Sequence, residues 1–475
     1  MMGFAWQHLL VEFAICGWIL VMLAADLLTP SPRKSGLWKL ALGGIGLSIG
    51  LLLWYRPPTT GVIVQHMWVA DRFGTYFKGL FLLTGAVVII MTREFQDRLP
   101  TSIGAFYILL FTALLGMLVL TSINDLLMLF LGLELLTFSL YIMAAYLTDE
   151  RRSIEAGMKY LILGSVSSGF LVYGIALLYG FAGSTNFSAL RAALMSGPPS
   201  LTAQAGLFLI LAGLGFKVAA VPFHLWVPDV YEGAPTPVVA LLSVGSKMAG
   251  VVALLRILYG VFLPLASVWA AVLATLAAVT MLYGNLAAIP QTNIKRLLGY
   301  SSIGHAGYLL MGLSTASVDH GVTAVVYYLL AYLFSNLTVF LVVVTASRAI
   351  GGDTLDHYRG LSKRSPFLAA ALFIGLLSLA GVPPLAGFVG KLLVLLATVE
   401  SHRLWLVAIG AINVAISLYY YLMVVKRMYL DTPSSPSAIS VHPATAVTLV
   451  ILLIGIFAVG IFQEPFLQRI GGLLQ

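Results

Sequence analysis

Charge is what this sequence has least of. Only 9% of its 475 residues are charged, against about a quarter in a soluble globular chain, while 60% are hydrophobic. That deficit excludes a water-covered globular domain and makes lipid the solvent for most of the chain. Cysteine is nearly absent as well. The single Cys16 lies in an apolar stretch, which excludes a disulfide framework, a haem motif or a cysteine-rich metal site within the chain. The eight histidines are scattered without ligand-type spacing. Alternating apolar and polar residues, the mark of a membrane β-barrel, are missing too, because the apolar runs are continuous. The glycines come without the strand–turn–helix context of a phosphate loop. Net charge is +8, yet no Lys/Arg cluster is interleaved with aromatics, so nucleic acid is not an expected partner. The opening MMGFAWQHLLVEF has no basic residue ahead of its apolar run and reads as the start of a first transmembrane helix, not a signal peptide.

What is present is a succession of apolar runs long enough to cross a bilayer. A span needs about 20 residues, since the hydrocarbon core is about 30 Å thick and a helix rises about 1.5 Å per residue. Such runs fall near 8–28, 36–55, 73–92, 101–121, 124–146, 154–182, 201–227, 236–258, 262–288, 292–314, 320–348, 365–400, 402–426 and 443–467. The expected fold is an all-α polytopic membrane protein of about fourteen transmembrane helices. Basic residues sort between the loops. The odd loops hold Arg33, Lys34, Lys39, Arg93, Arg98, Arg151, Arg152, Lys295, Arg296, Arg348, Arg359, Lys363, Arg364, Lys426 and Arg427. The even loops and tail hold Arg56, Arg72, Arg191, Arg256, Arg403 and Arg469. The bias places the odd loops in the cytoplasm and both termini on the outer side.

Four ionisable residues stand inside these runs with apolar turns on both sides: Glu134, Lys217, Lys247 and Lys391. A charge at the bilayer centre costs at least about 2.5–3.5 kcal/mol even on the lenient insertion scale, and such residues usually mark ion pathways. Burial disfavours an ammonium and a neighbouring carboxylate favours it. At about 4 Å and an effective dielectric near 20 that attraction is roughly 4 kcal/mol. Moving Glu134 relative to Lys217 is therefore a plausible proton switch; a buried ion pair that only fixes packing is the competing reading. Lys78 and Lys159 lie near helix starts, where they can snorkel. Glu12, Glu155 and Asp125 read as interfacial, and Asp229 and Glu232 as part of a loop or cap.

Two runs carry helix breakers at depth. Pro222 follows Lys217 by five residues; Pro383 and Pro384, with Gly381 and Gly387, precede Lys391. Broken helices are tolerated in a membrane where they are buried in protein or line a hydrated cavity, and paired breaks point to an inverted-repeat transporter. The expected organisation is a three-helix segment over 1–100, a five-helix repeat over 101–260, an inverted five-helix repeat over 261–428 and a C-terminal helix in 429–475. His224, about two turns after Lys217 along the same helical face, and His305 can relay protons or serve as packing hydrogen-bonders. Tyr300, Ser246 and Ser243 are candidates to hold water.

Four stretches carry a family resemblance: EAGMKYLILGSVSSGFLVYGIALLYG, FKVAAVPFHLWVPDVYEGAPTPVVALLSVGSKMAG, IKRLLGYSSIGHAGYLLMGL and LSLAGVPPLAGFVGKLLVL. They resemble the N-type subunits (mitochondrial subunit 2 type) of bacterial respiratory complex I, over roughly residues 75–430. The resemblance implies an antiporter-like fourteen-helix subunit in the membrane arm of NADH:quinone oxidoreductase. It assigns Glu134 to the family's fifth-helix glutamate, Lys217 to its seventh-helix lysine, Lys247 to the connecting lysine and Lys391 to the output residue. The M-type sibling carries glutamate at that last position, and the L-type sibling continues into a long lateral helix where little follows the last span here. The three early helices absent from animal versions are present. The resemblance implies no cofactor in this chain, with NADH, flavin, iron–sulfur clusters and quinone held by other subunits. It also implies M-type and K-type neighbours and a bacterial inner membrane. Two rivals stand beside it: a subunit of a multisubunit sodium/proton antiporter, and a purely structural membrane-arm subunit.

Overall fold

The computed structural model describes residues 6–55, 62–64, 66–99, 103–197, 200–316, 318–433 and 437–474. The first five residues and Arg56, which entered the readings above, lie outside them. Twenty α-helices follow in chain order: α1 Leu10–Leu28, α2 Leu37–Trp54, α3 Arg72–Phe95, α4 Ile103–Thr121, α5 Leu126–Ala144, α6 Arg151–Ala182, α7 Phe187–Met195, α8 Leu201–Val218, α9 Val227–Gly233, α10 Thr236–Leu241, α11 Lys247–Gly260, α12 Ala266–Ala288, α13 Ile294–Ser314, α14 Thr323–Ile350, α15 Leu361–Arg364, α16 Pro366–Ala380, α17 Ala386–Glu400, α18 Leu404–Tyr429, α19 Pro443–Ile461 and α20 Gln463–Leu474. One small antiparallel hairpin, β1 Val62–Val64 with β2 Trp68–Ala70, precedes α3.

Among the described residues twelve helices are long and apolar enough to cross a membrane. The chain is a multi-pass membrane protein. The two other expected spans are also helical but differ from a plain apolar rod. The run 292–314 is the 21-residue α13, studded with Lys295, Arg296, serines and His305. The run 365–400 is split into two 15-residue halves, α16 and α17. The run 201–227 ends early as well, at Val218. Both interruptions follow from the breakers. Ala219 and Gly381 take left-handed backbone (φ 66° and 88°), and the bonds preceding Pro222 and Pro384 are cis. After the last span, α20 adds a 12-residue helix that the apolar pattern did not announce.

The chain divides into two compact units. The first contains residues 1–89, 98–218 and 245–269. In it α1 packs on α2 and α4, α4 on α5, α5 on α6, α6 on α8, and α11 on α8 and α4. Helix ends are set by caps: the Asp125 carboxylate accepts from Leu127 N at 2.8 Å to start α5, and Gly183 (φ 66°) ends α6. Lys78 does not snorkel. Its ammonium is buried, 2.7 Å from Glu12 and over the Trp68 ring, so Glu12 is a buried partner and not an interfacial residue. Burying both costs less than burying either alone. Lys159 pairs with Glu155 on an exposed face at 2.7 Å. In the same unit Arg256 clamps Asp71 through two bonds (2.5 and 2.7 Å) and donates to the Thr121 carbonyl.

The second unit contains residues 90–97, 219–244 and 270–475. Its centre is α14, whose side chains are almost all buried and which packs on α16, α17, α19 and α10. Around it α13 packs on α9 and α17, and α18 on α16 and α17. Asp229 and Glu232 belong to the short α9, where both bind Arg296 (2.8 and 3.1 Å). Buried Glu94 accepts from Thr445 at 2.5 Å and pairs with Arg348 at 3.3 Å, tying segments that are distant in sequence.

Candidate functional site: buried lysines at helix breaks

Within the first unit, Glu134, Thr137 and Tyr141 follow at intervals of three and four residues and therefore share one face of α5. Lys217 is the penultimate residue of α8 and is 4% exposed. Its ammonium donates to the Thr137 hydroxyl at 2.6 Å and to the Tyr160 hydroxyl at 3.5 Å. Thr137 can accept because its own proton goes to the Leu133 carbonyl (2.5 Å). Tyr160 stands edge-on to Tyr141 and stacks on Phe216. Half-buried Glu134 instead accepts from Ser168 of α6 at 2.5 Å. Glu134 lies one turn of α5 from the Thr137 that binds Lys217, but among the described residues no direct ion pair joins Glu134 and Lys217. Lys247, 2% exposed, opens α11 just after a wide turn over Leu242–Ser246. Gly250, one turn later, lets α11 approach the Lys217 stem: a Cβ there would stand 3.3 Å from Lys217 Cβ and Cγ.

Within the second unit, Lys391 lies in the second turn of α17 and is 3% exposed. Its ammonium donates to the Ala380 carbonyl (2.9 Å), at the free C-terminal end of α16, to Ser417 (3.4 Å), and lies over the Tyr308 ring at 5.1 Å. The break before Lys391 thus exposes a backbone acceptor that an unbroken helix would have used, and the dipole at a helix C-terminus favours a cation. His305 of α13 bonds Tyr328 (2.6 Å) and Tyr421 (3.2 Å) through its two ring nitrogens. His305, Tyr328, Tyr332, Ser335, Ser378 and Lys391 line a cavity of about 10 Å³, close to the space one water requires.

His224 stands apart from Lys217. It does not share a helical face with Lys217, because α8 stops at Val218; the residue sits in the turn after the break and belongs to the second unit. It is buried, and Tyr283 meets its ring at 4.3 Å. Ser243 binds Tyr332 and Asn336. Tyr300 lies against Tyr283. Sequence reading missed Thr137, Tyr160 and Ser168, and the tyrosines 308, 328 and 421. Only Thr137 had a signal, its helical spacing from Glu134.

This fold and site define an antiporter-like, polytopic ion-translocating subunit. Residues 123–417 match the family model described as NADH:quinone oxidoreductase/Mrp antiporter, transmembrane. NADH-quinone oxidoreductase subunit N of Moorella thermoacetica is 42% identical, covering 96% of each chain. The protein of that name from Desulforamulus reducens is 40% identical over 98% of each. Among solved structures, a chain of respiratory complex I from Thermus thermophilus superposes with a TM-score of 0.82 at 30% identity, covering 96% of this chain and 98% of that one. A chain of the Mrp complex from Dietzia sp. shares the fold (TM-score 0.87, 99% and 97% covered) at 19% identity. The chain belongs to the NADH:quinone oxidoreductase/Mrp antiporter transmembrane family, within its subunit N group.

Proposed function

We propose that this chain is a proton-translocating, non-redox subunit of NADH:quinone oxidoreductase, with Glu134, Lys217 and Lys247 serving proton transfer in the first unit and Lys391 with His305 in the second. His224 is the weaker relay, since it stands in a turn. Protons enter from the cytoplasm toward Lys217 and leave outside after Lys391. The observation that carries this is the choice of partners. Lys78 and Lys295, also buried, each have a carboxylate partner: Glu12 at 2.7 Å for Lys78, and Asp353 at 3.4 Å beside the Ala234 carbonyl at 3.0 Å for Lys295. Lys217 and Lys391 are held by hydroxyl and carbonyl oxygens. A carboxylate partner locks a buried ammonium in its charged state; neutral oxygens allow the amine to give up its proton.

NADH, flavin, iron–sulfur clusters and quinone belong to other subunits, and M-type and K-type membrane-arm subunits are the neighbours. The location is a bacterial inner membrane with both termini outside. The test is Lys217→Ala in the whole complex in inverted membrane vesicles. NADH-driven proton uptake is expected to fall while the complex, with its flavin and iron–sulfur subunits, still assembles; full pumping overturns the reading.

A further inference from the structure

The segment Gly164–Gly169 of α6 carries three serines, and they spend their protons differently. In an apolar helix a serine ordinarily bonds back to the carbonyl four residues earlier. Ser165 does so, donating to Leu161 O at 2.8 Å. Ser167 ties α6 to α8 through Gly213 O at 3.0 Å. Ser168 donates its hydrogen bond to the Glu134 carboxylate at 2.5 Å. A hydroxyl has one proton to donate, and its bond to an ionised acceptor is among the stronger ones available. One turn along α5, Thr137 holds the Lys217 ammonium at 2.6 Å. Acid and base of the pair are each held by a different hydroxyl.

We propose that Ser168 is a latch: it holds the Glu134 carboxylate away from Lys217, and its release lets the carboxylate swing to the lysine and complete the ion pair. This rests on the proton-transfer reading and names a positioning residue for it. Latched, the Lys217 ammonium is hydrogen-bonded to neutral hydroxyls and not to the carboxylate, and can pass its proton on. Unlatched, the carboxylate retains the proton on the amine. The pump alternates between the two, so Ser168 sets the balance and carries no proton itself. Losing a hydrogen bond to a charged group changes such a balance by about ten-fold or more.

The experiment uses the whole complex in inverted vesicles with Ser168→Ala, Ser168→Thr and Glu134→Gln. Ser168→Ala is expected to lower NADH-driven proton uptake by about ten-fold. Ser168→Thr, which keeps the hydroxyl, restores it. In infrared difference spectra the carboxylate band that Glu134→Gln removes shifts in Ser168→Ala and not in Ser168→Thr. Wild-type uptake and an unshifted band in Ser168→Ala, with Glu134→Gln inactive, overturn the latch and leave the proton-transfer reading standing. A Thr variant as poor as the Ala variant also overturns it, by assigning Ser168 to packing. Normal uptake in Glu134→Gln overturns both.

Discussion

Gly250→Val tests whether the placement of Lys217, and not only its presence, governs transport. Gly250 lies where α11 meets the end of α8. An added Cβ would stand 3.0 Å from Val218 Cγ1 and 3.3 Å from Lys217 Cβ and Cγ, whereas ordinary contact begins at 3.4 Å. The crowding atoms sit at the root of Lys217, where the side chain cannot bend away, so the helices must yield by several tenths of an ångström before the two γ-methyls of valine are counted. Overpacking of this kind costs about 1–3 kcal/mol. The lysine must move with its backbone, which lengthens the 2.6 Å bond to Thr137. A displacement of about 1 Å in a reacting group can cost about 100-fold in rate, so half of that gives roughly ten-fold. Gly260→Ala on the same helix is the matched control: its Cβ meets only Phe187 at 3.9 Å. NADH-driven quenching of a pH-sensitive dye in inverted vesicles measures the effect, with thermal unfolding of the purified complex alongside. Gly250→Val is expected to pump about ten-fold slower and Gly260→Ala normally. Equal pumping by the two variants at equal stability refutes the reasoning.

Gly381→Ala meets two obstacles, a left-handed backbone (φ 88°) and a Cβ 2.9 Å from Lys391 Cδ. The backbone alone costs about 1–2 kcal/mol, and the lysine loses its seat on the Ala380 carbonyl, so pumping per electron falls in the same vesicle assay. Lys78→Met leaves Glu12 charged and buried, which destabilises the protein by about 3–5 kcal/mol. Adding Glu12→Gln restores most of that, and protons per electron stay unchanged in both variants, as unfolding curves and dye quenching will report.

Several features were legible without coordinates because each has a local physical cause. Continuous apolar runs dictate membrane helices, since lipid leaves the backbone no other partner. Glu134, Lys217, Lys247 and Lys391 stood out because an isolated charge in such a run is costly wherever the helix goes. The prolines marked both breaks. The errors came where helical spacing was carried through a break: His224 was placed on Lys217's face although α8 had already ended. Lys78 and Glu12 were read as interfacial because each lies near a helix start, but their partnership spans 66 positions and no window of sequence contains it.

The sequence alone determined that this chain lives in lipid, where its helices run and which side chains are too polar for their surroundings, because transfer free energy is a property of each residue and its immediate neighbours. Only the tertiary structure decided what those side chains do. Whether a buried lysine is locked by a carboxylate, as Lys78 is, or rests on a hydroxyl or a freed carbonyl, as Lys217 and Lys391 do, depends on atoms brought in from other helices. Electrostatic and hydrogen-bond energies fall off over a few ångströms in space and are blind to distance along the chain.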